Sequence, residues 1–107
     1  MKEFKKLGYE VFSATNSAEA LSLAETQTPD MILLDRRLGE ESGLELFKNL
    51  RAIAQTKTTP VFLLSNQDAT AEDLAILKSF EPAEYLIKEH IDLNELSQKV
   101  QGLIGPA

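Results

Sequence analysis

Apolar residues along this chain alternate between two rhythms. Met31, Ile32, Leu33 and Leu34 stand in a row, as do Val61, Phe62, Leu63 and Leu64, and then Tyr85, Leu86 and Ile87. Such unbroken runs read as strands with both faces covered. A further strand is expected over 9–15, where Tyr9, Val11 and Phe12 sit among polar neighbours. Between the runs the spacing becomes helical. Ala20, Leu21, Leu23 and Ala24 mark one helix over 17–27, and Leu44, Leu46, Phe47, Leu50 and Ile53 mark another. Leu74, Ile76 and Leu77 mark a third to about Phe80, and a fourth runs from Asp92 to about Ile104.

The boundaries carry their own chemistry. Asn16-Ser17-Ala18-Glu19 and Ser42-Gly43-Leu44-Glu45 are capping boxes, and Thr70 with Asp73 and Asp92 with Glu95 repeat the pattern. Thr28-Pro29, Pro82 and Gly105-Pro106 stop helices. Residues 1–7 read as the end of a helix. Phe4 and Leu7 share one face, lysines suit a helix C-terminus, and Gly8 is a natural stop. The order is a partial helix and then strand–helix four times. That alternation gives an α/β fold, a parallel sheet wound with helices on both faces.

Composition narrows the function classes. At 107 residues the chain is read as one domain. A net charge of −6 argues against a nucleic-acid surface, which needs a basic patch. The absence of cysteine removes disulfides, thiolate nucleophiles and cysteine metal sites, and fits a cytoplasmic protein. No apolar run approaches the ~18 residues of a membrane span, and no signal-peptide pattern opens the chain, so no membrane partner is expected.

The candidate chemistry lies at strand ends. Asp35 closes the first apolar run, Ser65 the second and Lys88 the third. Carboxyl ends of parallel strands are where open α/β sheets place their sites. Each residue alone has an ordinary reading. Asp35 would be a satisfied strand-end carboxylate, Ser65 the start of a turn, Lys88 a solvated loop cation and Tyr85 a half-buried structural aromatic. Arg36 and Arg37 read as solvated, as do Glu40, Glu41 and the single histidine, His90.

Together they resemble the receiver domain of a bacterial response regulator, the CheY-like family. Asp35 matches the phospho-accepting aspartate and Gly43 the glycine at the next helix start. Ser65 matches the hydroxyl residue ending the fourth strand, Tyr85 the aromatic switch position and Lys88 the lysine three residues later. The spacing from Asp35 to Leu38 and Gly39 agrees with one branch of the family. The resemblance implies a flavodoxin-like, doubly wound parallel sheet of family strand order 2-1-3-4-5. It implies a phosphorelay role in which a histidine kinase or phosphotransfer protein phosphorylates Asp35. Lys88, Ser65 and the backbone N–H of Asn66 would face the phosphoryl group. Asp35 and the backbone carbonyl of Arg37 would be ligands of Mg²⁺. A switch of this kind is not a metabolic enzyme.

The match departs from the family in informative places. The family's first strand, with its Mg²⁺-binding acidic pair, has no counterpart here, so the receiver is expected to be N-terminally incomplete. Asp30 lies roughly 16 Å from Asp35 along one strand and cannot substitute. Mg²⁺ is therefore expected to bind weakly or not at all. Glu89 stands where the family commonly has proline, and a trans bond is expected after Lys88, which could aim that lysine differently. Gly39 replaces a common proline and should loosen its loop. Without the first strand, the edge of 31–35 is unpaired, and a homo-oligomer formed through that edge is expected. Two rival readings stand beside the phospho-switch. One is a pseudo-receiver that binds proteins without being phosphorylated. The other is a small flavin-binding protein, which would need a phosphate-cradling loop after a first strand.

Overall fold

A computed structural model describes residues 2–38 and 40–105. The elements follow the expected alternation. A short helix α1 (Lys2–Lys6) precedes α2 (Ser17–Gln27) and strand β1 (Ile32–Asp35). A two-residue ribbon, β2 (Arg37–Leu38) and β3 (Glu41–Ser42), leads into α3 (Gly43–Arg51). Then come β4 (Val61–Ser65), α4 (Ala71–Ser79), β5 (Ala83–Ile87) and α5 (Leu93–Ile104). The loop expected between Asp35 and Gly43 is thus partly ordered as an antiparallel pair, Arg37 opposite Ser42. Gly39, where a loosened loop was expected, lies outside the described residues.

The main sheet is parallel in the order β1-β4-β5. Ile32 pairs with Val61 and Asp35 with Leu64, while Ser65 pairs with Ile87 on the other side. The period of two sorts the strand residues onto two cores. Leu34, Val61 and Leu63 face Phe47, Leu50 and Leu77, under α2, α3 and α4. Phe62 and Leu86 face Phe4, Leu96 and Val100, under α1 and α5. Val61 and Leu63 are 0% exposed on the first face and Phe62 is 3% exposed on the second, so β4 is covered on both faces, whereas Met31, Ile32 and Leu33 of the first apolar run are only half-buried, short of the full cover that their composition predicts. Side-chain caps sit where the sequence motifs place them. Asn16, Ser42, Thr70 and Asp92 each accept a backbone N–H three residues on, and Asp73 returns the bond to Thr70.

One expected element is not formed. Residues 9–14 carry no regular structure, so the strand expected over 9–15 is corrected to an irregular segment. The physical reason is the lack of a backbone neighbour. A strand needs a hydrogen-bonded partner, and here an apolar cleft of about 670 Å³ separates Tyr9, Val11 and Phe12 from Met31, Leu33 and Asp35. The segment does not cross the cleft to pair with β1. It is held instead at its first residue: Tyr9 N–H donates to the Phe4 carbonyl and Tyr9 Oη donates to the Gly105 carbonyl at 2.6 Å. On β1, Ile32 and Arg36 donate to Pro60 and Leu64 beside them. Alternation therefore turns the backbone groups of Leu33 and Asp35 toward the cleft.

A second centre ties the far end of the sheet. Arg51 is 5% exposed, and its guanidinium donates to the carbonyls of Thr56, Thr59, Phe80 and Pro82 at 2.7–2.8 Å. It also lies 5.1 Å from the Phe47 ring centroid. Burial lowers the Arg51 pKa. Four carbonyls from two connections are satisfied by one cation.

Candidate functional site at the strand ends

The three strand ends stand in a row. β1 ends at Asp35, β4 at Ser65, and the chain leaving β5 begins a 3-10 turn at Lys88 (Lys88–His90). Because β4 lies between β1 and β5, Lys88 reaches across it. Its Nζ donates to Asp35 Oδ2 at 2.7 Å. The other carboxylate oxygen, Oδ1, accepts the Arg37 backbone N–H at 3.1 Å. The bond after Lys88 is trans, the cis bond among the described residues being Glu81–Pro82. The altered aim expected for Lys88 is therefore corrected. A trans peptide still delivers the ammonium to Asp35, because the turn begins directly at the strand end.

Both partners are accessible. The Lys88 and Asp35 side chains are 39% and 42% exposed, so a donor can approach the carboxylate and the lysine can follow it. Behind them Ser65 is 5% exposed. Its Oγ accepts the Gln67 N–H at 3.1 Å, leaving the hydroxyl hydrogen for another acceptor. Asn66 is exposed beside it. Tyr85 is half-buried, and its Oη donates to the Gln67 carbonyl at 2.9 Å. The loop after β4 is thus held by the hydroxyls of both Ser65 and Tyr85. His90 is exposed.

Gly43 closes the floor of the site. Its N–H donates to the Arg36 carbonyl at 2.7 Å. A Cβ there would meet the Asp35 carbonyl oxygen at 2.0 Å. The site thus needs a residue without a side chain where α3 passes the end of β1.

Two expectations about charged neighbours are corrected. Arg36 is not simply solvated. Its Nη2 donates to both carboxylate oxygens of Asp73 at 3.0 and 3.1 Å, and Asp73 is 3% exposed. Burial alone would raise the Asp73 carboxyl. The Thr70 backbone N–H, the Arg36 hydrogen bonds and charge, and the Thr70 hydroxyl outweigh it and hold the group below the ordinary aspartate value. Glu41 is exposed but engaged, accepting the Ser17 N–H at 3.0 Å at the start of α2. An acid suits that helix N-terminus. The Thr70 capping motif located Asp73 in the sequence, but nothing there paired it with Arg36.

The donor set does not fit Mg²⁺ on its own. No group of three acidic, histidine or cysteine side chains is poised for a metal among the described residues. Among those residues Asp35 is the single carboxylate closing a strand of the main sheet, and Lys88 occupies one of its oxygens. A dication that favours octahedral oxygen donors finds one carboxylate and main-chain groups such as the Arg37 carbonyl.

Comparison with known proteins follows the same geometry. The chain matches the pattern described as the response regulator receiver domain over residues 1–101. It is 35% identical over 103 residues to the transcriptional regulatory protein CrdR of Helicobacter pylori, covering 94% of this chain and 46% of that protein. It is 41% identical over 69 residues to the polar-differentiation response regulator DivK of Brucella anthropi, covering 61% of this chain and 56% of that protein. The chain thus spans about half the length of these curated relatives. Among solved structures, the receiver domain of the Francisella response regulator 1452 superposes with a TM-score of 0.79 at 33% identity, over 96% of this chain and 82% of that one. The receiver domain of sensor histidine kinase PA1611 from Pseudomonas aeruginosa superposes with a TM-score of 0.77 at 28% identity, over 95% and 82%. That structure holds a magnesium ion in its active-site cleft. The flavodoxin-like fold expected from the sequence is the fold these neighbours share.

Proposed function

This chain belongs to the receiver domain family of two-component response regulators, and from that premise we propose that Asp35 is its phospho-accepting residue. The observation that carries the reading is the Lys88–Asp35 ion pair at 2.7 Å across the carboxyl end of the sheet. Phosphoryl transfer is mostly positioning and charge stabilisation. A carboxylate oxygen of Asp35 attacks the phosphorus of a phosphohistidine on a histidine kinase or phosphotransfer protein. The P–N bond breaks, the P–O bond forms, and the departing imidazole takes up a proton. Lys88 moves from the carboxylate to a phosphoryl oxygen. The Ser65 hydroxyl and the Asn66 backbone N–H supply hydrogen bonds, and Tyr85 follows the loop after β4 as the switch. The role is that of a cytoplasmic signalling switch rather than a metabolic enzyme. Among the described residues no helix is long and apolar enough to cross a membrane.

Incubation with acetyl phosphate and excess Mg²⁺, borohydride trapping and mass spectrometry test the assignment. The adduct is expected on Asp35 and absent from Asp35→Asn. Labelling that persists in the variant overturns it. A folded wild type that takes no label supports the second reading, a pseudo-receiver that binds proteins without phosphorylation. The thin ligand set at Asp35 favours that reading. Mg²⁺ binding is expected to be weak on the same ground.

We also infer that the edge of β1 left unpaired among the described residues pairs with a second copy of this chain. The cleft of about 670 Å³ exposes the backbone of Leu33 and Asp35 beside an alternating segment, 9–14, that lacks a strand partner. Phe12 is 45% exposed at its side. Two copies related by a two-fold axis would pair their β1 edges antiparallel. Light scattering over a concentration series should give a dimer. A cooperatively folding monomer at tens of micromolar overturns the inference.

A further inference from the structure

Arg36 follows the proposed phospho-acceptor and is tied down on three sides. Its N–H donates to Leu64 on β4, and its carbonyl accepts from Gly43 at the start of α3. Its guanidinium holds both oxygens of Asp73, the third residue of α4. Asp73 is the acid of the α4 capping box and accepts the Thr70 N–H at 3.0 Å while its own N–H donates to Thr70 Oγ. The first turn of α4 and the loop before it are therefore fastened to the residue beside Asp35 by one ion pair. The two ends of that pair differ. Asp73 is enclosed at 4% side-chain exposure, whereas Arg36 is 31% exposed and can reach water or a competing anion.

We propose that Arg36 is a positioning residue that couples the charge on Asp35 to the first turn of α4, more negative charge at Asp35 drawing the guanidinium from Asp73. A phosphoryl group is the natural source of that charge, a step that rests on the phosphorylation reading above. The chemistry favours the exchange. A phosphoryl group offers an arginine fork more charge and more acceptor oxygens than a carboxylate does. Asp73, once released, keeps the Thr70 bonds but is a buried anion without its counter-charge, a costly state. The first turn of α4 must then adjust, and that helix and the loop before it become the part of the surface that reports the state of Asp35.

The test is hydrogen exchange at the Asp73 and Leu74 amides, the latter donating to the Thr70 carbonyl. It uses the wild type, Asp35→Asn, Arg36→Gln, Arg36→Lys and the double variant Asp35→Asn/Arg36→Gln. Asp35→Asn, which removes the charge, should slow exchange at Leu74 by about twofold or more when Arg36 is present. In the Arg36→Gln background the identity of residue 35 should make no difference, and Arg36→Lys, which keeps the charge, should restore part of the coupling. Beryllofluoride with Mg²⁺ supplies the opposite perturbation and should speed exchange at the same amides. Its fluorine NMR signal reports separately whether Asp35 holds a phosphoryl analogue. Loss of that signal sinks the phosphorylation reading, while the comparison of wild type with Asp35→Asn still decides the coupling. Equal exchange in wild type and Asp35→Asn, or a coupling that survives Arg36→Gln, overturns the proposal. Urea unfolding of each variant establishes that it is folded, and the charge-retaining Arg36→Lys keeps the comparison decisive if Arg36→Gln unfolds.

Discussion

Gly43 approaches Asp35 so closely that a single added carbon would lie 2.0 Å from the Asp35 carbonyl oxygen and 2.8 Å from Arg36 Cα. The obstacle is backbone, which no rotamer change relieves. Gly43→Ala must push α3 away from the end of β1, weaken the 2.7 Å bond from Gly43 N–H to Arg36 and move the proposed phospho-acceptor. A loss of about 1–3 kcal/mol in urea unfolding is expected, the range for overpacking a tight contact. Unchanged stability would show that the helix start can slide without cost.

The Lys88–Asp35 pair separates site chemistry from stability. Both side chains are more than a third exposed, so solvent screens their attraction. Lys88→Met should change the unfolding free energy by less than about 1 kcal/mol. Its effect on acetyl-phosphate labelling should be much larger, roughly tenfold or more, because the developing charge on the phosphoryl oxygens loses its fixed cation. Labelling at the wild-type rate would remove Lys88 from the site.

What was legible in the sequence was what local pattern and strand ends determine. The apolar runs located β1, β4 and β5, and the capping motifs fixed the starts of the helices. Asp35, Ser65 and Lys88 came together because parallel strands end on the same side. Residues 9–15 misled because alternation records burial of one face, whereas a strand also needs a backbone neighbour. Arg36 and Arg51 were invisible for a different reason. Each finds its acceptors through tertiary contacts, Arg36 at Asp73 and Arg51 at Phe80 and Pro82, that no spacing along the chain encodes.

Arg51 shows how much one buried cation can organise. Its four carbonyl partners lie in the connections that lead into β4 and β5, and replacing the guanidinium removes a donor from each, leaving the Thr59 carbonyl stranded in the interior. Arg51→Met keeps the apolar contact with Phe47 but no donor. A destabilisation of about 2–4 kcal/mol is expected, from carbonyls that lose a donor and one left without a partner. Arg51→Lys should recover only a fraction, since a point charge cannot address four acceptors as the planar fork does. Thermal unfolding of both variants checks the order, and equal stability of Arg51→Lys and wild type would refute the fork geometry as the cause.

Asp73 predicts a pH dependence of definite sign. Its carboxyl is held below the ordinary aspartate value in the folded protein, by Thr70 and Arg36 acting against burial. A group whose folded pKa is depressed binds fewer protons in the native state than in the unfolded chain. It therefore adds stability that is fully present above the unfolded pKa of about 3.9 and is lost as pH falls through the lower folded value. Asp73→Asn cannot titrate. The wild-type advantage over this variant should be constant from neutral pH to about pH 5 and should shrink as the solution is acidified below that. The difference between their urea midpoints isolates Asp73 from the other carboxylates, which titrate in both proteins. An advantage that stayed constant down to about pH 3, with both proteins still folding cooperatively, would contradict a proton uptake that begins at the unfolded pKa. An advantage that grew on acidification would mean that burial, and not Arg36, governs this carboxyl.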